Sequence, residues 1–120
     1  MKILVVDDSS VMRKLVTRSI RQAGFGDAEV VEAEDGAQAL DVARSELPDV
    51  ILADWNMPNM TGIEMLRALR AEGDRVRVGF VTSESTGQIR AEADEAGASF
   101  FLTKPIDTEL LATALNGASR

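Results

Sequence analysis

Four places in the sequence carry side chains that could do chemistry together: Asp7-Asp8, Asp54, Thr82-Ser83 and Lys104-Pro105. Each directly follows a short run rich in apolar or β-branched residues, namely Ile3–Val6, Val50–Ala53, Val78–Val81 and Phe100–Thr103. Taken singly, each has a structural explanation, because Asp, Ser and Thr after a strand commonly cap the next helix and Lys-Pro opens ordinary turns. Together they put adjacent acids, a further acid, hydroxyls and an amine at one edge of a sheet. Three converging carboxylates repel one another and call for a hard cation. Oxygen-only ligands with room for water suit Mg²⁺, with Mn²⁺ as a substitute. The chain has no His and no Cys, which removes the commonest general base and the thiolate nucleophile. A metal and an ammonium around a carboxylate describe a phosphoryl site in which the carboxylate can be the nucleophile. The chemistry expected is formation of an aspartyl phosphate.

The elements that must position these groups alternate along the chain. Ile3–Val6 reads as a strand, and Met12, Leu15, Val16, Ser19 and Ile20 then recur at helical spacing, from a cap at Ser9 or Ser10 to a stop at Gly24. Glu29–Ala33 is a second strand, followed by Asp35-Gly36 and a helix with Ala39, Leu40 and Ala43 on one side. Val50–Ala53 is the third strand, and a loop with Pro58 leads to a helix on Ile63, Leu66 and Leu69 that ends at Gly73. Val78–Val81, a helix over Gln88 to Ala96, and Phe100–Thr103 follow. A last helix opens near Asp107 with Leu110, Leu111, Ala114 and Leu115 inward. Continuous apolar strands predict burial on both faces, as in parallel sheets. Five βα units predict one doubly wound α/β domain over residues 1–120, with its ligand site at the carboxyl ends of the strands.

Composition narrows the partners. Thirteen Lys and Arg against twenty Asp and Glu give a net charge of −7, which disfavours nucleic acid and anionic lipid surfaces. The longest apolar runs, ILVV and VILA, are four residues, against about 20 for a spanning helix. The expectation is a soluble, unprocessed, cytoplasmic chain with no membrane insertion.

Asp7-Asp8, the stretch DWNMPNMTG from Asp54 to Gly62, Thr82-Ser83 and Lys104-Pro105 resemble the signature of response-regulator receiver domains. The resemblance runs in order along the whole chain, and it is similar in particular to the stand-alone chemotaxis regulators of that family. It implies a flavodoxin-like fold with strand order 2-1-3-4-5. It also implies that Asp54 takes a phosphoryl group from a histidine kinase or a histidine phosphotransfer domain. Asp8, Asp54 and the backbone carbonyl of Asn56 would ligate Mg²⁺, with Asp7 acting directly or through water. Lys104, Thr82 and the Ser83 backbone N–H would hold phosphoryl oxygens, with Lys104-Pro105 as a cis peptide. Asn56 and Glu84 would flank the attacking water and tune dephosphorylation. Thr82 and Phe101 would form the switch, read by a downstream target or a phosphatase, and the regulator would act as a monomer.

The resemblance departs from the motor-binding pattern at Phe101, where tyrosine is usual; the chain has no tyrosine. Without a hydroxyl to rehouse, Phe101 is expected to populate its inward position before phosphorylation. Trp55, the single tryptophan, is expected to report metal and phosphoryl binding but not the ring of Phe101. Arg13, Lys14, Arg18 and Arg21 would form a basic, solvated face of the first helix, with kinase docking as the sharper possibility. Other functions remain open on the sequence: a phosphate sink or phosphorelay intermediate, and a Mg²⁺-dependent phosphohydrolase with an aspartate nucleophile. That hydrolase would need an acid two residues beyond the nucleophile to protonate the leaving group, where this chain has Asn56. A nucleotide- or flavin-binding module would need a Gly/Ser/Thr phosphate loop after the first strand, where this chain has Asp7-Asp8.

Overall fold

The structure, a computed structural model, describes residues 1–117, so the domain end expected at residue 120 lies outside the described residues. Strands and helices alternate as β1 (Lys2–Val6), α1 (Ser10–Gln22), β2 (Glu29–Ala33), α2 (Gly36–Glu46), β3 (Val50–Ala53), α3 (Gly62–Ala71), β4 (Arg77–Thr82), α4 (Gly87–Glu95), β5 (Phe100–Thr103) and α5 (Thr108–Gly117). All strand pairs are parallel and the sheet order is β2-β1-β3-β4-β5. This is the flavodoxin-like arrangement that the resemblance implied.

Alternation along each strand sends side chains to opposite faces, and two cores result. Leu4, Val6, Ile51, Ala53, Val78 and Phe80 pack with Leu40 of α2, Met65, Leu66 and Leu69 of α3 and Ala93 of α4. Ile3, Val5, Val50, Leu52, Val81 and Leu102 pack with Val16 and Ile20 of α1 and Leu111 and Leu115 of α5. Each large apolar side chain fully buried this way contributes roughly 1.5–3 kcal/mol. A one-residue slip would turn every side chain of a strand to the wrong core, so the packing locks the register that the site depends on.

Burial on both faces holds for the central strands alone. β2 exposes Glu29 and Glu32, and Phe100 and Phe101 of β5 are half-buried, because an edge strand has no second neighbour to shield it. β4 extends one residue beyond the expected run at each end, since Arg77 pairs with Val50 and Thr82 with Thr103. Leu110, expected inward, is 58% exposed. α5 meets the sheet through Leu111 and Leu115, and Leu110 lies about 100° around the helix from Leu111. Leu15 is exposed for the same reason, with Val16 and Ile20 facing the core.

Candidate functional site

Helix capping does not account for the strand-end acids. Ser9, Asp35, Thr61 and Thr86 accept from the first-turn amides of α1, α2, α3 and α4. Asp107 accepts from the amides of Glu109 and Leu110 at the start of α5. Every helix is therefore capped by a residue other than Asp7, Asp8, Asp54 or Thr82.

The register brings those residues together. Val6 pairs with Ala53, and the amide of Asp54 donates to the carbonyl of Val6 at 3.0 Å, so Asp7 and Asp54 emerge side by side. On the other side, Thr82 pairs with Thr103 and the amide of Lys104 donates to the Thr82 carbonyl at 2.9 Å. The Lys104-Pro105 peptide is cis, as the resemblance implied. The lysine reaches across the sheet edge, with Nζ 3.2 Å from Asp7 Oδ2 and 3.4 Å from Asp54 Oδ2.

Asp7, Asp8 and Asp54 each offer a carboxylate oxygen, all within 4.8 Å of one another. Three carboxylates against the one ammonium of Lys104 leave two negative charges, which one divalent cation would balance. An octahedral Mg²⁺ with ligands at about 2.0–2.1 Å sets oxygens about 3–4 Å apart, so the spacing suits a shell shared between these oxygens and water. Asp7 is buried, Asp54 partly so and Asp8 exposed. The donor set and its charge fit Mg²⁺ or Mn²⁺.

Around this cluster, Thr82 is buried and its Oγ1 accepts from the Glu84 amide at 3.3 Å. Ser83 is exposed just beyond β4. Asn56 Nδ2 donates to Glu84 Oε1, so these two exposed side chains bridge the loops that follow β3 and β4. The loop after Asp54 is itself tied down. Gly36 donates to the Met60 carbonyl at 3.2 Å, and Asn59 Nδ2 donates to Asp35 Oδ2 at 2.8 Å. The Gln38 amide, followed by Asn59, holds the Asp35 carboxyl below its usual range. Gly62 approaches so closely that a Cβ there would sit 2.3 Å from the Asp54 carbonyl oxygen.

Phe101 is half-buried, its ring 6.4 Å from Trp55 and 6.3 Å from Phe80 between centroids. Trp55 is thus a direct neighbour of the Phe101 ring rather than blind to it, because both side chains belong to the same core. Arg90 of α4 covers the outer face of that ring at 4.6 Å and donates to Thr103 Oγ1 at 2.9 Å. This contact depends on how α4 is rotated against the sheet edge, which the local residue pattern does not specify.

Arg13 does not belong to the solvated basic face. Its guanidinium turns inward, donating from Nε to Glu32 Oε1 and from Nη1 to the Asp7 carbonyl, both at 2.7 Å. Lys14, Arg18 and Arg21 remain exposed. Between α1 and the segment after β5 lies a groove of about 580 Å³, lined by Met12, Leu15, Arg18, Lys104, Pro105 and Ile106 among others. No helix among the described residues is long and apolar enough to cross a membrane.

Comparison with known proteins bears on the family and the fold. The family model described as the response regulator receiver domain matches residues 3–116. The chemotaxis protein CheY of Pseudomonas aeruginosa is 41% identical over 114 residues, covering 92% of this chain and 90% of that protein. The chemotaxis protein CheY-3 of Vibrio cholerae is 36% identical over 118 residues, covering 97% and 89%. Among solved structures, Vibrio cholerae chemotaxis protein CheY4 superposes with a TM-score of 0.84 at 35% identity, covering 98% of this chain and 97% of that one. The signal receiver domain of the response regulator NarL from Mycobacterium tuberculosis does so with a TM-score of 0.87 at 33% identity, covering 98% and 95%.

Proposed function

The chain belongs to the response regulator receiver domain family, and from that premise we propose that it is a chemotaxis-type signalling switch phosphorylated on Asp54. The observation that carries this reading is the position of the Lys104 amine, which spans Asp7 and Asp54 inside a three-carboxylate cluster at the carboxyl edge of the sheet. Asp54 is assigned as the nucleophile because it ends the central strand β3, shares Lys104 with Asp7 and is less buried than Asp7, so that it is open to an incoming phosphoryl group. One of its oxygens forms the bond to phosphorus as the P–N bond to a partner's phosphohistidine breaks, and the imidazole nitrogen keeps that electron pair. Asp8, Asp54, the Asn56 carbonyl and Asp7, directly or through water, would hold Mg²⁺, whose charge would offset that of the phosphoryl oxygens.

Lys104 supplies a fixed ammonium to the same oxygens, a charge-assisted contact that strengthens where water is scarce. The Thr82 hydroxyl and the Ser83 backbone N–H complete the oxygen contacts. Reversal requires water to attack phosphorus from the side opposite the Asp54 oxygen, and the Asn56–Glu84 bridge governs that approach. An amide at Asn56 has no proton to give a leaving group, which sets the chain apart from aspartate-nucleophile phosphohydrolases.

The histidine kinase, or a histidine phosphotransfer domain, would dock beside α1. There the groove exposes Met12 and Leu15 within reach of Lys104, with Lys14, Arg18 and Arg21 available to an acidic partner. The output would be read at the β4, β5 and α5 side, where Thr82 and Phe101 lie. Phosphotransfer from a purified, prephosphorylated histidine kinase tests the reading. Label should move to the wild type in Mg²⁺, and should not move in EDTA or to Asp54→Asn. Transfer to Asp54→Asn would overturn it.

A further inference from the structure

Asp8 is the most exposed of the three candidate metal ligands, and its carboxylate makes no hydrogen bond or ion pair among the described residues. Asp7 and Asp54 are aimed by Lys104, and Asp7 Oδ1 also accepts from the Ser9 amide at 2.9 Å. Asp8 has no such guide. Where its carboxylate sits is therefore decided by the backbone that carries it, above all the peptide plane between Asp7 and Asp8. One end of the Asp7 residue is fixed by its amide, which donates to the Ala33 carbonyl at 3.2 Å. The other end, its carbonyl, is held by Arg13 Nη1 at 2.7 Å.

We infer that Arg13 is a positioning residue for the metal site, orienting Asp8 through the Asp7–Asp8 peptide, with Glu32 as its anchor; this rests on the receiver reading above. Three observations support it. Arg13 lies in the first turn of α1, where the helix dipole disfavours a cation, so its placement calls for compensation. Its side chain is only 13% exposed and spends two donors of the rigid guanidinium fork on different partners, one on β2 and one on the β1 end. Such a fork fixes direction in a way that a single ammonium cannot. Glu32 also balances the charge, so that a cation bound nearby meets a neutral pair rather than a bare guanidinium.

Outer-shell partners of metal ligands typically cost 10–100-fold in metal affinity when removed, and the sign of the effect separates positioning from simple charge. Deleting a nearby positive charge should, by electrostatics alone, tighten Mg²⁺ binding. Loss of positioning should weaken it.

The test is Mg²⁺ titration of the full chain at fixed ionic strength, read by Trp55 fluorescence, with the melting temperature of each metal-free variant measured alongside. Arg13→Ala should raise the Mg²⁺ Kd about tenfold. Arg13→Lys, which keeps the charge and one donor, should recover part of that loss. Glu32→Gln, on a half-exposed side chain, should weaken binding less than Arg13→Ala does, because Asp7 still accepts from Arg13; charge alone predicts the same direction there, so the sign at Arg13→Ala decides. A lower metal-free melting temperature with an unchanged Kd would mean that Arg13 only supports the fold, and unchanged or tighter binding in Arg13→Ala would overturn the inference. A wild type with no response to Mg²⁺ in fluorescence or melting would overturn the metal reading itself, and this inference with it.

Discussion

The two halves of the sheet's carboxyl edge are built differently. On the β1–β3 side, the acids are held by many short contacts: Asp7 by its amide, its carbonyl and both carboxylate oxygens, and Asp54 by Val6, Trp55 and Lys104. On the β4–β5 side, Phe101 is half-buried at an edge strand and covered by a single exposed arginine. Chemistry needs fixed distances, because small misplacements of a reacting group are costly. A readout needs two arrangements of similar free energy. The contrast teaches that short contacts are concentrated around the carboxylates that would bind metal and phosphoryl group, and are few around the Phe101 ring, where the proposed switch would change shape.

If the carboxylate cluster does the chemistry, Lys104→Ala, which removes the amine that reaches the cluster from the end of β5, should show the largest effect. Losing a preorganised charge donor at a transferring group typically costs about 10²–10³ in rate. The time course of labelling by a small-molecule phosphodonor should slow by that order, while the circular dichroism spectrum is kept. A rate within a few-fold of wild type would place the phosphoryl group away from Lys104.

Next in size is the response to metal. Mg²⁺ that binds only the folded state should stabilise it by about 2.7 kcal/mol at a hundredfold excess over Kd. Asp8→Ala should lose that shift and should melt at an equal or higher temperature without metal, because one of three mutually repelling carboxylates is gone. A full Mg²⁺ shift in Asp8→Ala would remove Asp8 from the site.

Much of this was readable in the sequence, for reasons that individual residues make plain. The runs Glu29–Ala33, Val50–Ala53 and Phe100–Thr103 coincide with β2, β3 and β5, because their β-branched and apolar content lies between clear turn residues. Asp7, Asp54, Thr82 and Lys104 could be gathered at one edge because a parallel sheet places every strand end there. Leu110, Arg13 and Arg90 could not be placed. Their environments depend on the rotation of a helix against its neighbours, which local pattern does not specify to within one residue. The nearest signal was Arg13 itself, a cation in a helix first turn that the dipole disfavours.

A smaller effect concerns the loop that follows Asp54. Thr61 and Glu64 form a capping box at the start of α3, and Thr61→Ala should cost about 1 kcal/mol in urea denaturation. The Thr61 amide and hydroxyl hold the Glu64 carboxyl below its ordinary value of 4.5. The box therefore contributes fully above that ordinary value and loses its contribution as pH falls through the lower folded value. Glu64→Gln should flatten the acid limb of the stability profile slightly; an identical limb would mean that the box does not titrate.

The smallest effect lies on the loosely held side. A cation over an exposed aromatic face is worth about 0.5–1 kcal/mol. Arg90→Ala should shift the population of inward Phe101 about two- to fivefold, read by ¹⁹F-phenylalanine NMR and by Trp55 emission. Unchanged spectra would show that Arg90 does not restrain the ring.

The most direct measurement is intact mass after incubation with acetyl phosphate and Mg²⁺. The wild type should gain a single phosphoryl group and lose it with time, and Asp54→Asn should gain none while keeping its fold. A phosphoryl adduct of equal yield on Asp54→Asn, or none on the wild type, would contradict the assignment of Asp54 as the acceptor.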